Sequence, residues 1–194
     1  MGNAGITRFN ITDEIKGPGK WRFDKSREYW SVANALYREV FDTIRMPLLQ
    51  GEEVIDCTRA EFQAGYDYQL GIDVILRPKD QGESTMQEKF LFTEFDTVTV
   101  EHCQDWLGLE PGDWYRLKAQ YYFVGYDAKG HLRFDPWILL DWTRLQRATA
   151  QGRVPWRLRS NLKDSARASF MYVEFQRLPP DVIVASSNRA YSLF

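Results

Sequence analysis

Gly71-Ile72-Asp73-Val74-Ile75-Leu76-Arg77 and Met86-Gln87-Glu88-Lys89-Phe90-Leu91-Phe92 are the two segments on which the fold turns. The first carries β-branched Ile72, Val74 and Ile75, which favours a strand. Lys79–Ser84 (KDQGES) between them is polar and carries a glycine, which suits a turn. Alternation in the first strand puts Ile72, Val74 and Leu76 on one face and Asp73 and Ile75 on the other. In the second, Met86, Glu88, Phe90 and Phe92 share a face opposite Gln87, Lys89 and Leu91. Paired as a hairpin, the strands bring Asp73 close to Gln87 and Lys89. A one-residue slip would exchange Lys89 for Glu88, but the preferred register is the one that sends Phe90 and Phe92 to the core.

Upstream, Trp30, Ala33, Leu36, Tyr37, Val40, Phe41 and Ile44 recur at helical spacing and predict a helix over Ser26–Arg45. Residues 1–25, with Gly17-Pro18-Gly19, read as an arm. Glu53–Cys57 and Thr97–Val100 are further strand candidates. Downstream, Tyr115–Tyr126, a turn at Asp127–Gly130 and a return through His131–Leu140 predict an aromatic-rich β-hairpin. Trp142–Gly152 reads as a basic helix, Ser160–Ser169 as another, and Phe170–Arg177 as a late strand stopped by Pro179-Pro180. The expected class is α+β (α/β), a mixed sheet flanked by helices with the hairpin as a C-terminal extension. Residues 26–194 are expected to form a single domain, with a core at about 26–100 and the hairpin and basic extension at 101–194.

Composition narrows the compartment. No apolar run reaches the roughly 18–20 residues needed to cross a bilayer. The first twenty residues have no apolar signal core, and Ile6 stands where myristoylation after Gly2 wants Ser or Thr. Cys57 and Cys103 are the only cysteines and lack zinc-ligand spacing. A cytoplasmic protein with no membrane partner is the expectation. Net charge is −2, split between residues 1–100 (12 basic, 17 acidic) and residues 101–194 (13 basic, 10 acidic). The sequence has no GxSxG, no P-loop, no GxGxxG and no metal-spaced histidine pair.

The pattern G-I-D-V-I, then thirteen residues between Asp73 and Gln87, then Q-x-K resembles the PD-(D/E)XK nuclease superfamily, closest to its Mrr-like branch, where Gln replaces the usual acid. The resemblance covers about Trp30 to Val100. It implies a restriction-endonuclease-like fold and a Mg²⁺-dependent endodeoxyribonuclease, with Mn²⁺ able to substitute. Asp73, Gln87 and Lys89 would be the catalytic residues. Asp73, Gln87 and the Glu88 backbone carbonyl would hold the metal, which takes hard oxygen donors and keeps several waters. Lys89 would orient the attacking water and offset developing charge. Gln87 brings no charge, so a further acid is expected, with Glu39 or Asp67 as candidates and Glu28 beside them. By analogy a homodimer would let two sites address two strands.

DNA is the expected partner of the basic extension, through Arg116 and Lys118 on one face of the hairpin strand with Gln120 and Tyr122, and through Arg144, Arg147, Arg157 and Arg159. A solvated outer face accounts for the same residues. The competing class is a non-catalytic nucleic-acid-binding or assembly protein that kept the fold, such as a phage or mobile-element component. The neutral Gln87 and the aromatic residues of 106–142 are its support.

Overall fold

Helix α1 (Trp30–Ile44) follows a helical turn over residues 25–28. Tyr29, Ala33, Tyr37, Val40 and Phe41, spaced four, four, three and one apart, bury one stripe. The computed structural model describes residues 25–44, 55–59, 70–78, 82–104, 110–160 and 168–188. Most of the expected N-terminal arm, Asp67, the first half of the Lys79–Ser84 turn and most of the expected Ser160–Ser169 helix lie outside these residues.

The stripe of α1 covers one face of a six-stranded sheet formed by β1 (Ile55–Arg59), β2 (Val74–Pro78), β3 (Ser84–Leu91), β5 (Tyr121–Tyr126), β6 (Trp137–Asp141) and β9 (Ile183–Ser186), in that spatial order. All neighbours are antiparallel except β3 and β5, which run parallel with Gln87 beside Tyr122 and Lys89 beside Val124. A parallel pair needs a crossover. Here the crossover carries β4 (Thr97–Cys103) and the short α2 (Asp113–Arg116). β4 joins β8 (Ser169–Glu174) and β7 (Arg157–Ser160) in a second, antiparallel sheet of order β4-β8-β7. The class is α+β, a mixed sheet flanked by a few helices.

Two apolar layers follow from this topology. Beneath α1, Val74, Leu76, Met86, Phe123, Phe134 and Leu139 meet Tyr29, Tyr37 and Phe41. On the opposite face Tyr122, Val124, Tyr126, Ile138 and Leu140 meet Val98, Val100 and Val173 of the second sheet and Leu145 and Ala148 of α3 (Trp142–Ala150). Phe90 and Phe92 pack on the α1 side, as the preferred register requires. Asp141 caps α3 by accepting from the Arg144 N–H at 2.9 Å.

The hairpin differs from the sequence reading in three ways. Pro111-Gly112-Asp113 starts a helical turn, closed by Leu117 N–H donating to the Asp113 carbonyl, so the strand begins at Tyr121 rather than Tyr115. The return strand begins at Trp137, because Asp127 organises the preceding loop. Its carboxylate accepts from the N–H groups of Lys129, Gly130 and Arg133 and from the Tyr29 hydroxyl. Finally, the hairpin is no appendage: β5 and β6 are central strands of the large sheet. Two strands had no counterpart in the reading, β7 and β9.

Candidate metal and phosphate site

Asp73 immediately precedes β2, and its N–H donates to the Met86 carbonyl at 2.9 Å. Its Oδ2 accepts from the Gln87 Nε2 at 2.6 Å and from the Glu88 backbone N–H at 2.7 Å. The same Gln87 nitrogen also donates to the Glu88 carbonyl at 3.3 Å. Three of the expected groups are thus in contact: the Asp73 carboxylate, the Gln87 amide and the Glu88 main chain.

Gly71 makes this possible. Its φ of +60° is costly for any residue with a Cβ. A Cβ there would collide with the Leu117 side chain and stand 3.2 Å from Gln87 Oε1. The glycine of the G-I-D frame therefore both turns the chain into Asp73 and leaves room for the Gln87 amide.

The Glu88 side chain belongs elsewhere. Its Oε1 accepts from the Tyr37 hydroxyl at 2.7 Å on the α1 face. Lys89 shares the Gln87 face and donates to the Thr99 carbonyl of β4 at 3.1 Å. The Tyr122 hydroxyl donates to that carbonyl at 3.0 Å. Burial, with Asp113 and Asp73 adding negative charge, pushes the Tyr122 hydroxyl well above its ordinary range and keeps it a donor.

Of the candidate further acids, Glu39 and Glu28 are exposed on the helical segment that packs against the opposite face of the sheet. The fold does not bring them to Asp73, and Asp67 lies outside the described residues. Glu101, which the sequence reading passed over, stands on β4 with Thr97 and Thr99 on the half-buried face, opposite Val98 and Val100. The alternation in TVTVEH carried the signal, but the expected strand stopped at Val100.

Of the six expected DNA-binding cations, three are engaged by acids. Arg116 binds Asp113 at 3.0 Å and stands 3.8 Å from Glu101. Arg144 pairs with Asp141 at 3.4 Å and Arg157 with Glu174 at 3.4 Å. Lys118, Arg147 and Arg159 are exposed. Arg116, Lys118, Gln120 and Tyr122 do not share one strand face: Arg116 is in α2, Lys118 and Gln120 lie in the link to β5, and Tyr122 is buried.

What the arrangement can hold follows from its donor set. Carboxylate, main-chain carbonyl and amide oxygen are hard donors of the kind Mg²⁺ takes. The Gln87 NH₂, partly positive, sits where a small cation would meet Asp73 and Glu88. Turning that amide about its terminal bond exchanges the NH₂ for an oxygen donor. Among the described residues no three His, Cys, Asp or Glu side chains form a metal-sized group. A cleft of about 560 Å³ opens between the β3–β4 and β5–β6 connections, and none of Asp73, Gln87 or Lys89 lines it. No described helix is long and apolar enough to cross a membrane. Compared with known proteins, the chain matches no family, no curated protein and no solved structure.

Proposed function

We propose that this chain is a Mg²⁺-dependent nuclease hydrolysing DNA phosphodiester bonds on a restriction-endonuclease-like sheet. The observation that carries the reading is the Gln87 amide nitrogen held between Asp73 Oδ2 at 2.6 Å and the Glu88 carbonyl at 3.3 Å. The D…Q-x-K pattern implies the Asp73 carboxylate, the Gln87 amide and the Glu88 carbonyl drawn together beside a strand lysine. A divalent cation bound there supplies polarisation of the scissile phosphate and a more acidic bound water. Asp73 contributes the fixed negative charge. Gln87, with its amide turned, contributes a neutral oxygen. Lys89, one residue beyond Glu88 on the Gln87 face, offsets negative charge on the phosphate oxygens.

Cleavage of supercoiled plasmid and single-stranded DNA with Mg²⁺ or Mn²⁺ tests the reading. Asp73→Ala and Lys89→Ala should each lower the rate by roughly 10²-fold or more with the fold intact. Activity surviving both substitutions would refute this site. One observation favours the second reading, a non-catalytic nucleic-acid-binding or assembly protein: the Lys89 ammonium is donated to the Thr99 carbonyl. Absence of cleavage, together with absence of Mn²⁺ binding, would make that reading the stronger.

A further inference from the structure

The free edge of β4 lies along the face of the large sheet that carries Gln87 and Lys89. The Thr97 carbonyl accepts from the Tyr126 hydroxyl at 2.6 Å, and the Thr99 carbonyl accepts from Tyr122 and Lys89. β5 runs parallel to β3, so the step from Tyr126 to Tyr122 moves from the level of Leu91 to that of Gln87. Along β4 the same step goes from Thr97 to Thr99, and the next residue on that face is Glu101. Its cross-strand partner is Phe170, whose ring centroid is 5.8 Å from the Lys89 Nζ. Phe170 and Glu101 are opposed across the β4–β8 pair, and the Lys89 charge reaches the Glu101 carboxyl and favours its ionised form.

We propose that Glu101 is a positioning residue of this site, its carboxylate drawing the Lys89 ammonium toward β4 in competition with Arg116. The proposal rests on the nuclease reading for its purpose and on the geometry above for its contacts. Glu101 is shared between two cations. Arg116 stands 3.8 Å from it but takes Asp113 as its closer partner at 3.0 Å. Burial and the neighbouring Asp113 raise the Glu101 carboxyl above its ordinary range, while Arg116 and Lys89 act in the opposite sense. Lys89 therefore donates to a carbonyl of β4 and feels the negative charge of a carboxylate on the same strand. A lysine so placed keeps its charge at a fixed depth beside Gln87 and does not swing into solvent.

The test is the rate at which Lys89 is acylated by a limiting amine-directed reagent at one pH, read by peptide mass spectrometry on the full chain. Lys118 and Lys129, both exposed, serve as internal references. Glu101→Gln should speed Lys89 relative to them by at least about threefold, the scale of a half-exposed ion pair, and Glu101→Asp should restore the slow rate. Arg116→Met removes the competing cation and should slow Lys89 further. A purely structural Glu101 would give acceleration in both variants, or none in either, and either result overturns the proposal. Since Arg116→Met does not depend on Glu101→Gln folding, the sign of its effect decides alone if that variant melts. In the cleavage assay Glu101→Gln should lower kcat at least about tenfold with KM unchanged. A chain that cleaves nothing yet shows the opposite-signed labelling keeps Glu101 in its role and removes the nuclease reading alone.

Discussion

Gln87→Glu is the most informative single substitution. The amide nitrogen now 2.6 Å from Asp73 Oδ2 would become a carboxylate oxygen, so an attractive contact turns into two like charges. Two unit charges about 4 Å apart at an effective dielectric near 20 repel by about 4 kcal/mol. The variant can escape part of this by taking up a proton, so the expected loss at neutral pH is about 2–4 kcal/mol. In a chain of this size that lowers Tm by roughly 4–16 °C. The sign with pH follows. A carboxyl raised by its neighbour destabilises the fold above its unfolded pKa, so stability returns as pH falls through the raised value toward roughly 4.3. A cation should repair the defect directly. With a dissociation constant of order 1 mM, 10 mM Mg²⁺ returns about 1.4 kcal/mol, and the wild type gains less. Differential scanning calorimetry in chelator and in Mg²⁺, at several pH values, reads all three effects. If Gln87→Glu is as stable as wild type in chelator and indifferent to Mg²⁺, the two side chains do not form a cation site.

Other perturbations report on the frame around that pair. Gly71→Ala forces a Cβ into a φ of +60° and into the Leu117 side chain, so denaturant unfolding should show a loss of about 2 kcal/mol or more. Tyr37→Phe strips Glu88 of its 2.7 Å hydrogen bond and should cost about 1–2 kcal/mol by the same measurement, without weakening Mn²⁺ binding. Asp127 gives a pH signature. Burial alone would raise its carboxyl, but donation from Arg133, Tyr29, His131 and Gly130 outweighs it and brings it down to about 2. A depressed folded value means stability present above roughly 3.8 and lost as pH falls toward about 2, worth about 1–2 kcal/mol after allowance for solvent beside the loop. Asp127→Asn should flatten the acid limb of the stability curve; an unchanged limb would show that the loop is held by other groups.

What the sequence disclosed, and what it hid, divides along local and non-local physics. Most of the α1 stripe, the β3 alternation and the side on which Phe90 falls follow from periodicity and are found in the structure, whereas Ile72 packs with Ile75 and not with Val74 and Leu76, and Tyr29 joins the helix stripe. The contact between Asp73 and Gln87 was legible for the same reason, since two neighbouring strands need only a register. The hairpin failed where turn chemistry competes with strand propensity: Tyr115 and Arg116 look β-like, but Gly112-Asp113 starts a helical turn before them. β7 was illegible because Arg157–Ser160 is exposed throughout and has no alternation to read, whereas the short β9, with Ile183 and Val184, was passed over after Pro179-Pro180. Glu101 was hidden for a different reason. Its nearness to Lys89 depends on β4 leaving the large sheet and crossing its face, a matter of topology that no local pattern encodes.

The way β4 is laid down also bears on how the molecule keeps to itself. A strand at the margin of a sheet presents unpaired carbonyls that another chain can extend, a route to polymerisation. On β4 the Thr97 and Thr99 carbonyls are taken by Tyr126, Tyr122 and Lys89 of the same chain. At the other margin, β7 sets Arg157 and Arg159 on either side of Leu158, which is 63% exposed. Two copies approaching through that margin would bring like charges together before any backbone bond could form. Lys89 thus also helps close a template for aggregation. Its loss should show in solubility on long storage at high concentration as well as in rate.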